Sequence, residues 1–186
     1  MKYLVIDACA RKESRTRKLY KAYLNSLDGE IKILNLYNLD IKPLTEDILN
    51  YRDSFISKGD YSDPIFNLAN DFITYDEIII AAPYWDLSFP SILKVYFENI
   101  SISGLTFQYE GSQVKGLAKA KRIIYISTSG GNIYGNNLAY DYIKAIGNFF
   151  GIKECLNFTV EGLDINPEKE NELLENGIKK ILEFSK

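Results

Sequence analysis

The residues best equipped for chemistry lie in three short segments, and the first is Ala8 to Arg17 (ACARKESRTR). It sets Arg11, Lys12, Arg15 and Arg17 against one acid, Glu13, and places the hydroxyls of Ser14 and Thr16 where a helical stretch begins. A helix start offers free backbone N–H groups and the positive end of the helix dipole, so this composition suits a phosphate. The same residues also suit a capped, solvated helix start, and the segment alone does not choose. Cys9, Arg15 and Thr16 further spell Cys-x5-Arg-Thr, the spacing at which a thiolate can attack phosphorus while a guanidinium clamps its oxygens. Against that use, Glu13 projects negative charge toward any dianion, and Cys9 reads equally as a small buried hydrophobe at a strand end.

The second segment, Ala82 to Pro90 (APYWDLSFP), holds Pro83, Tyr84 and the sole tryptophan, Trp85, ahead of a helix starting near Ser91. Aromatics at a strand end make a platform for a planar ligand, or they simply cover the sheet. The third, Ser127 to Tyr134 (STSGGNIY), carries Gly130 and Gly131. Paired glycines let the backbone approach a ligand closely, or serve a turn of positive φ. Taken together, an anion site, an aromatic shelf and a glycine step fit a phosphate attached to a flat ring.

These segments need elements to position them. Apolar runs at Lys2 to Asp7, Glu30 to Leu36, Glu77 to Ala82, Arg122 to Ser127 and Glu154 to Val160 read as five strands. The Ile-rich third run suits a central parallel strand covered on both faces. Helical spacing recurs at Leu19, Tyr20, Tyr23, Leu24 and Leu27, and again from Leu138 to Phe150. The last helix is predicted to start with Asn166 as N-cap and Pro167 as its first residue. Residues 43–75 are predicted to hold one or two helices, and Gly104 to Gly116 a small hairpin turning at Glu110 and Gly111. Alternating strands and helices with right-handed crossovers predict a doubly wound α/β fold whose five parallel strands run in the order 2-1-3-4-5. In such sheets ligands bind beyond the carboxyl ends of the strands where the order reverses, which is where all three segments fall.

The 186 residues, 46% hydrophobic and 25% charged, predict a single globular domain over 1–186. The longest apolar run, Ile78 to Pro83, is far short of the roughly 20 residues of a membrane span. Asp7 ends the N-terminal apolar stretch too early for a secretory signal, so no membrane insertion and a cytoplasmic location are expected. The chain has no histidine, which removes the commonest general base and metal ligand, and two cysteines are too few for a disulfide scaffold or a zinc site. Chemistry must then come from carboxylates, Tyr, Lys, Cys or a bound cofactor, with no metal. A net charge of −3 argues against nucleic acid as a partner. No GxGxxG and no Walker lysine is present, so dinucleotide binding of the Rossmann type and P-loop hydrolysis lose support.

The helix start Ser-Arg-Thr, the run APYWDLSFPSILKVYFE, the stretches GLTFQY and GLAKAKR, and Thr-Ser-Gly-Gly together resemble the flavodoxin-like FMN-dependent NAD(P)H:quinone oxidoreductase and azoreductase family. The likeness runs from Lys2 to about Ser185 and is most specific over residues 82–131. It implies that Ser14, Arg15 and Thr16 hold the FMN phosphate, and that Pro83, Tyr84, Trp85, Asp86 and Leu87 line the ring edge. Thr128, Ser129, Gly130 and Gly131 would border its other side, with Tyr134 close by as the only candidate for a catalytic side chain. Implied too are hydride transfer from NADH or NADPH to the flavin and on to a small planar quinone, azo or nitro acceptor, and a homodimer, which the 14 Tyr and 10 Phe suit. The chain departs from the family at Asp86, often Asn there, and at Ser129, sometimes Arg; an Asp beside the flavin disfavours negative charge on the reduced ring unless it is paired. Three alternatives stand beside this reading: a one-electron flavodoxin-type carrier, a non-catalytic flavin-sensing or interaction module, and a low-molecular-weight-type phosphatase using Cys9 and Arg15.

Overall fold

The computed structural model describes residues 1–135 and 137–184; the residues at 136, 185 and 186, including the Ser185 end of the family likeness, lie outside the described set. In chain order the elements are β1 (Lys2–Asp7), α1 (Arg15–Leu24), β2 (Glu30–Asn35), α2 (Glu46–Ile56), α3 (Asn67–Thr74), β3 (Glu77–Ala81), α4 (Ser91–Ile100), β4 (Phe107–Glu110), β5 (Gln113–Gly116), β6 (Arg122–Thr128), α5 (Leu138–Phe149), β7 (Glu154–Val160) and α6 (Glu170–Phe184). Five strands form one parallel sheet in the order β2-β1-β3-β6-β7, which is the predicted 2-1-3-4-5 with the hairpin strands β4 and β5 set apart as an antiparallel pair.

Strand alternation explains why the central runs carry no polar face. Leu4, Ile6, Ile78, Ile80, Ile123 and Tyr125 pack toward Phe72 of α3, Leu93 and Phe97 of α4 and Ile143 of α5. Their neighbours Tyr3, Val5, Ile79, Ala81, Ile124 and Ile126 pack the opposite way, toward Leu19 and Tyr20 of α1 and Leu174 and Ile181 of α6. Because β1, β3 and β6 pair in parallel, the loops leaving them emerge at one edge of the sheet.

Several boundaries differ from the sequence reading. Leu27 lies beyond α1, which ends at Leu24. The last helix does not start at Pro167: residues Pro167–Lys169 form a 3₁₀ turn, Asn166 makes no side-chain cap bond, and α6 begins at Glu170. Proline fixes φ but supplies no side-chain acceptor, so it can open a short turn as readily as an α-helix. In the hairpin Glu110 pairs with Gln113, which leaves Gly111 and Ser112 as the turn, with Gly111 at φ 64.

Tyr96, on the buried face of α4, is 0% exposed, and its hydroxyl has no hydrogen-bond partner among the described residues. Burial pushes its phenol pKa upward. Removing an unpartnered buried hydroxyl removes a desolvation penalty, so Tyr96→Phe is expected to raise unfolding free energy by about 1 kcal/mol. Urea unfolding measures it; a loss of stability would mean that the hydroxyl is satisfied after all.

Candidate functional site

Strand order reverses between β1 and β3, and a pocket of ≈400 Å³ opens there beyond their carboxyl ends. The loop after β1 supplies Ala10, Arg11, Glu13 and Ser14, α1 supplies Arg15 and Lys18, and the loop after β3 supplies Pro83, Tyr84 and Trp85. Thr128 and Gly130 come from the end of β6, and on the far side Asp164 comes from the segment after β7 and Glu170 from the start of α6. All three sequence segments therefore contribute to one cavity.

Ser14 is the N-cap of α1: its backbone is extended and its Oγ accepts the Arg17 N–H at 3.3 Å. The first intrahelical bond runs from the Lys18 N–H to the Ser14 carbonyl at 3.1 Å, so the Arg15 and Thr16 N–H groups have no intrahelical acceptor. These are the free donors that an anion needs.

The side chains are deployed less uniformly than their charges suggested. Arg15 spans the pocket and pairs with Asp164 at 2.6 Å and Glu170 at 2.8 Å. The hydrogen bond to Asp164 is the main reason its guanidinium titrates above its ordinary value. Thr16 is buried, and its hydroxyl lies 2.6 Å from that of Thr128, joining α1 to the end of β6 beneath the pocket floor. Arg17 does not face the pocket; it is turned back onto Asp7 and the carbonyls of its own loop. Arg11 and Lys18 remain as exposed cations at the rim. With Arg11, Arg15 and Lys18 against Glu13, Asp164 and Glu170, the lining charges balance.

The aromatic wall ends in a tight turn. The Trp85 N–H donates to the Ser88 carbonyl at 2.9 Å and the Ser88 N–H returns to the Trp85 carbonyl at 2.8 Å. Between them Asp86 (φ 49) and Leu87 (φ 67) are both left-handed, the geometry of a type I′ turn, which normally takes Asn-Gly. Leu87 is 65% exposed, so packing does not offset the strain. Leu87→Gly is expected to raise unfolding free energy by about 1 kcal/mol, read in thermal or urea unfolding; destabilisation would show that the side chain is held by contacts. Asp86 is exposed and forms no ion pair among the described residues, and neither it nor Leu87 lines the pocket.

Gly130 and Gly131 do not have positive φ, so turn conformation is not their reason. A Cβ at Gly130 would lie 2.0 Å from Asp164 Oδ2, whereas Gly131 has open space around it. Ser129 is buried and ties the strand ends together, its N–H donating to the Val160 carbonyl at 2.8 Å. Tyr134 is 83% exposed, its hydroxyl accepting from Asn132 Nδ2 at 3.1 Å, and it stands outside the pocket lining.

Cys9 is 1% exposed, its thiol 3.7 Å from the Ala81 carbonyl. Burial, with Asp7 adding to it, pushes its pKa up to about 12. A thiol protonated at neutral pH and closed off from the pocket is no nucleophile, and Arg15 is committed to two carboxylates; the Cys-x5-Arg spacing is coincidental here. The sequence reading missed Asp7, Asp164 and Glu170. A carboxylate ending an apolar strand could have flagged Asp7, but Asp164 and Glu170 meet Arg15 across 149 and 155 residues, and no local signal marks them.

A family model described as flavodoxin-like fold matches residues 1–184. The chain is 34% identical to an FMN-dependent NADH:quinone oxidoreductase of Clostridium beijerinckii, covering 100% of this chain and 98% of that one. It is equally identical, at 34%, to the protein of that name from Clostridium perfringens, over 94% and 91% of the two chains. Among solved structures, an azoreductase from Bacillus anthracis superposes with a TM-score of 0.85 at 23% identity, covering 100% and 98% of the chains. An FMN-dependent NADH-azoreductase from Bacillus anthracis in complex with FMN gives 0.81 at 26% identity over 99% and 97%.

Proposed function

This chain belongs to the family of flavodoxin-like fold that spans its residues 1–184, and from that we propose that it is an FMN-dependent NAD(P)H oxidoreductase passing hydride to a quinone, azo or nitro compound. One observation carries the reading: a helix start, an aromatic wall and a strand-end glycine step share a single ≈400 Å³ pocket at the reversal of strand order.

The residues present fit FMN. The phosphate is assigned to the first turn of α1, with Ser14 contributing its hydroxyl, Arg15 and Thr16 their free N–H groups, and Arg11 and Lys18 at the rim. The ring is assigned to the wall of Pro83, Tyr84 and Trp85, with the Asp86–Leu87 turn at its edge and, on its other side, Thr128 and Gly130 of the pocket lining with their neighbours Ser129 and Gly131. Bound there, FMN would supply the hydride-transfer chemistry between NAD(P)H and the acceptor. The chain's own contribution is binding and orientation: the Thr16–Thr128 bond fixes the helix start against the floor, and the hydrogen bond from the Tyr84 N–H to the Thr128 carbonyl at 2.9 Å sets the wall against it. No His is present and Cys9 is sealed, so no side-chain nucleophile is invoked. Tyr134, open to solvent, is assigned contact with the acceptor.

No helix among the described residues is long and apolar enough to cross a membrane. We assign the chain a cytoplasmic location, a single domain, and a homodimer in which a second copy covers exposed apolar residues such as Trp85, Leu87 and Ile165. Protein saturated with FMN and desalted should retain the bands of bound oxidised flavin and oxidise NADH or NADPH with menadione, while leaving para-nitrophenyl phosphate intact. Colourless protein without turnover overturns the reading.

A further inference from the structure

We infer that Arg17 is a positioning residue: it never touches the phosphate, but it turns the loop after β1 inside out so that backbone N–H groups face the anion. Its guanidinium donates from Nε to Asp7 Oδ2 at 2.8 Å, from Nη1 to the carbonyls of Arg11 (2.9 Å) and Lys12 (3.1 Å), and from Nη2 to the carbonyl of Cys9 (2.8 Å). One side chain thus gathers three carbonyls of the four-residue stretch from Cys9 to Lys12. In a trans peptide the carbonyl of one residue and the N–H of the next point in opposite directions. Drawing the carbonyls of Cys9, Arg11 and Lys12 toward the guanidinium therefore sends the N–H groups of Ala10, Lys12 and Glu13 away from it. Among the described residues none of those three N–H groups donates to a protein acceptor. Ala10 and Glu13 line the pocket, and the next donors in sequence are the free first-turn N–H groups of α1. Successive outward N–H groups form an anion-binding concavity.

The clamp has its own anchor. Asp7 is 1% exposed at the end of β1, and its carboxylate accepts the Cys9 N–H at 2.8 Å, Arg17 Nε and the Tyr20 hydroxyl at 3.0 Å. Because Asp7 neutralises Arg17 where it sits, the guanidinium acts by geometry and contributes little field at the pocket. A lysine could keep the ion pair to Asp7 but cannot bridge three carbonyls from one rigid fork.

The inference rests on the proposed phosphate site, and the test separates the two. Dissociation constants for FMN and for riboflavin, which lacks the phosphate, are measured by flavin fluorescence on the full chain for wild type, Arg17→Lys and Asp7→Asn, each checked for a native far-UV spectrum and thermal transition. Arg17→Lys should weaken FMN at least tenfold and leave riboflavin within twofold, so that the ratio of the two constants collapses toward one; Asp7→Asn should move the ratio the same way. A merely structural role would weaken both flavins together and overturn the inference, as would an unchanged ratio in Arg17→Lys. Wild type that binds FMN no better than riboflavin removes the phosphate site itself, and the inference with it.

Discussion

Replacing Arg122 with alanine is expected to destabilise the protein by about 3 to 5 kcal/mol, without changing flavin affinity in the population that remains folded. Glu77, the first residue of β3, is 0% exposed, and Arg122, the first residue of β6, is its direct partner in the strand register. The Glu77 carboxylate accepts from Arg122 Nε and from the Tyr23 hydroxyl at 3.0 Å. The guanidinium also covers the Phe184 ring at 4.9 Å, which closes the end of α6 over the pair. Alanine would leave a carboxylate in the apolar interior with one hydrogen bond, and the cost of that orphaned charge exceeds anything the pair contributes as an attraction. Changing both partners, Glu77→Met with Arg122→Leu, should recover most of the loss, because no buried charge remains. Denaturant midpoints at pH 7 for the single and double variants decide between orphaned charge and simple loss of packing; a double variant as weak as the single one favours packing. Flavin affinity is a control in the same experiment, because the pair sits at the amino ends of the strands and the pocket at the carboxyl ends.

That separation of ends also explains what could be read in advance. The central strands were legible because burial on both faces demands continuous apolar runs such as Glu77 to Ala82, and the strand order followed from connection rules that need no side-chain detail. Convergence of the three loops followed from the order alone. What stayed hidden was the division of labour among the arginines. Arg15 and Arg17 are two residues apart in a run of four cations, yet one reaches Asp164 and Glu170 across the pocket while the other folds back on Asp7. Charge counted along the sequence cannot distinguish them, because the partners of Arg15 are brought to it by the long-range packing of α1 against α6, while that of Arg17 lies at the end of the preceding strand. The Asp86–Leu87 turn was equally invisible, since its left-handed pair lacks the Asn or Gly that announces such a turn. The helix start predicted at Pro167 failed for a local reason: the Asn166 side chain caps nothing.

The second large effect concerns the charge that a phosphate must displace. Asp164→Asn combined with Glu170→Gln is expected to tighten FMN binding by about 2 kcal/mol, a factor of about 30 at low salt, taking about 1 kcal/mol for each carboxylate. Both acids line the pocket, and both are held by Arg15, whose guanidinium is a third exposed. As the site stands, an incoming dianion meets balanced lining charges and competes with two carboxylates for one cation. Removing those carboxylates releases Arg15 and deletes two repulsions at once, while the first-turn N–H groups stay in place. The gain should shrink as ionic strength rises and the Debye length falls to about 8 Å at 0.15 M. Riboflavin affinity should not change, since it carries no charge to repel. Glu170 opens α6, where an acid is favoured by the helix dipole, so a few tenths of a kcal/mol of stability are lost with its charge. Titration of FMN and riboflavin at two salt concentrations measures all of this. Weaker FMN binding in the double variant would reverse the assignment: Asp164 and Glu170 would then be the residues that hold Arg15 in the orientation the phosphate requires, and their pairing with it a support of the site instead of a rival for it.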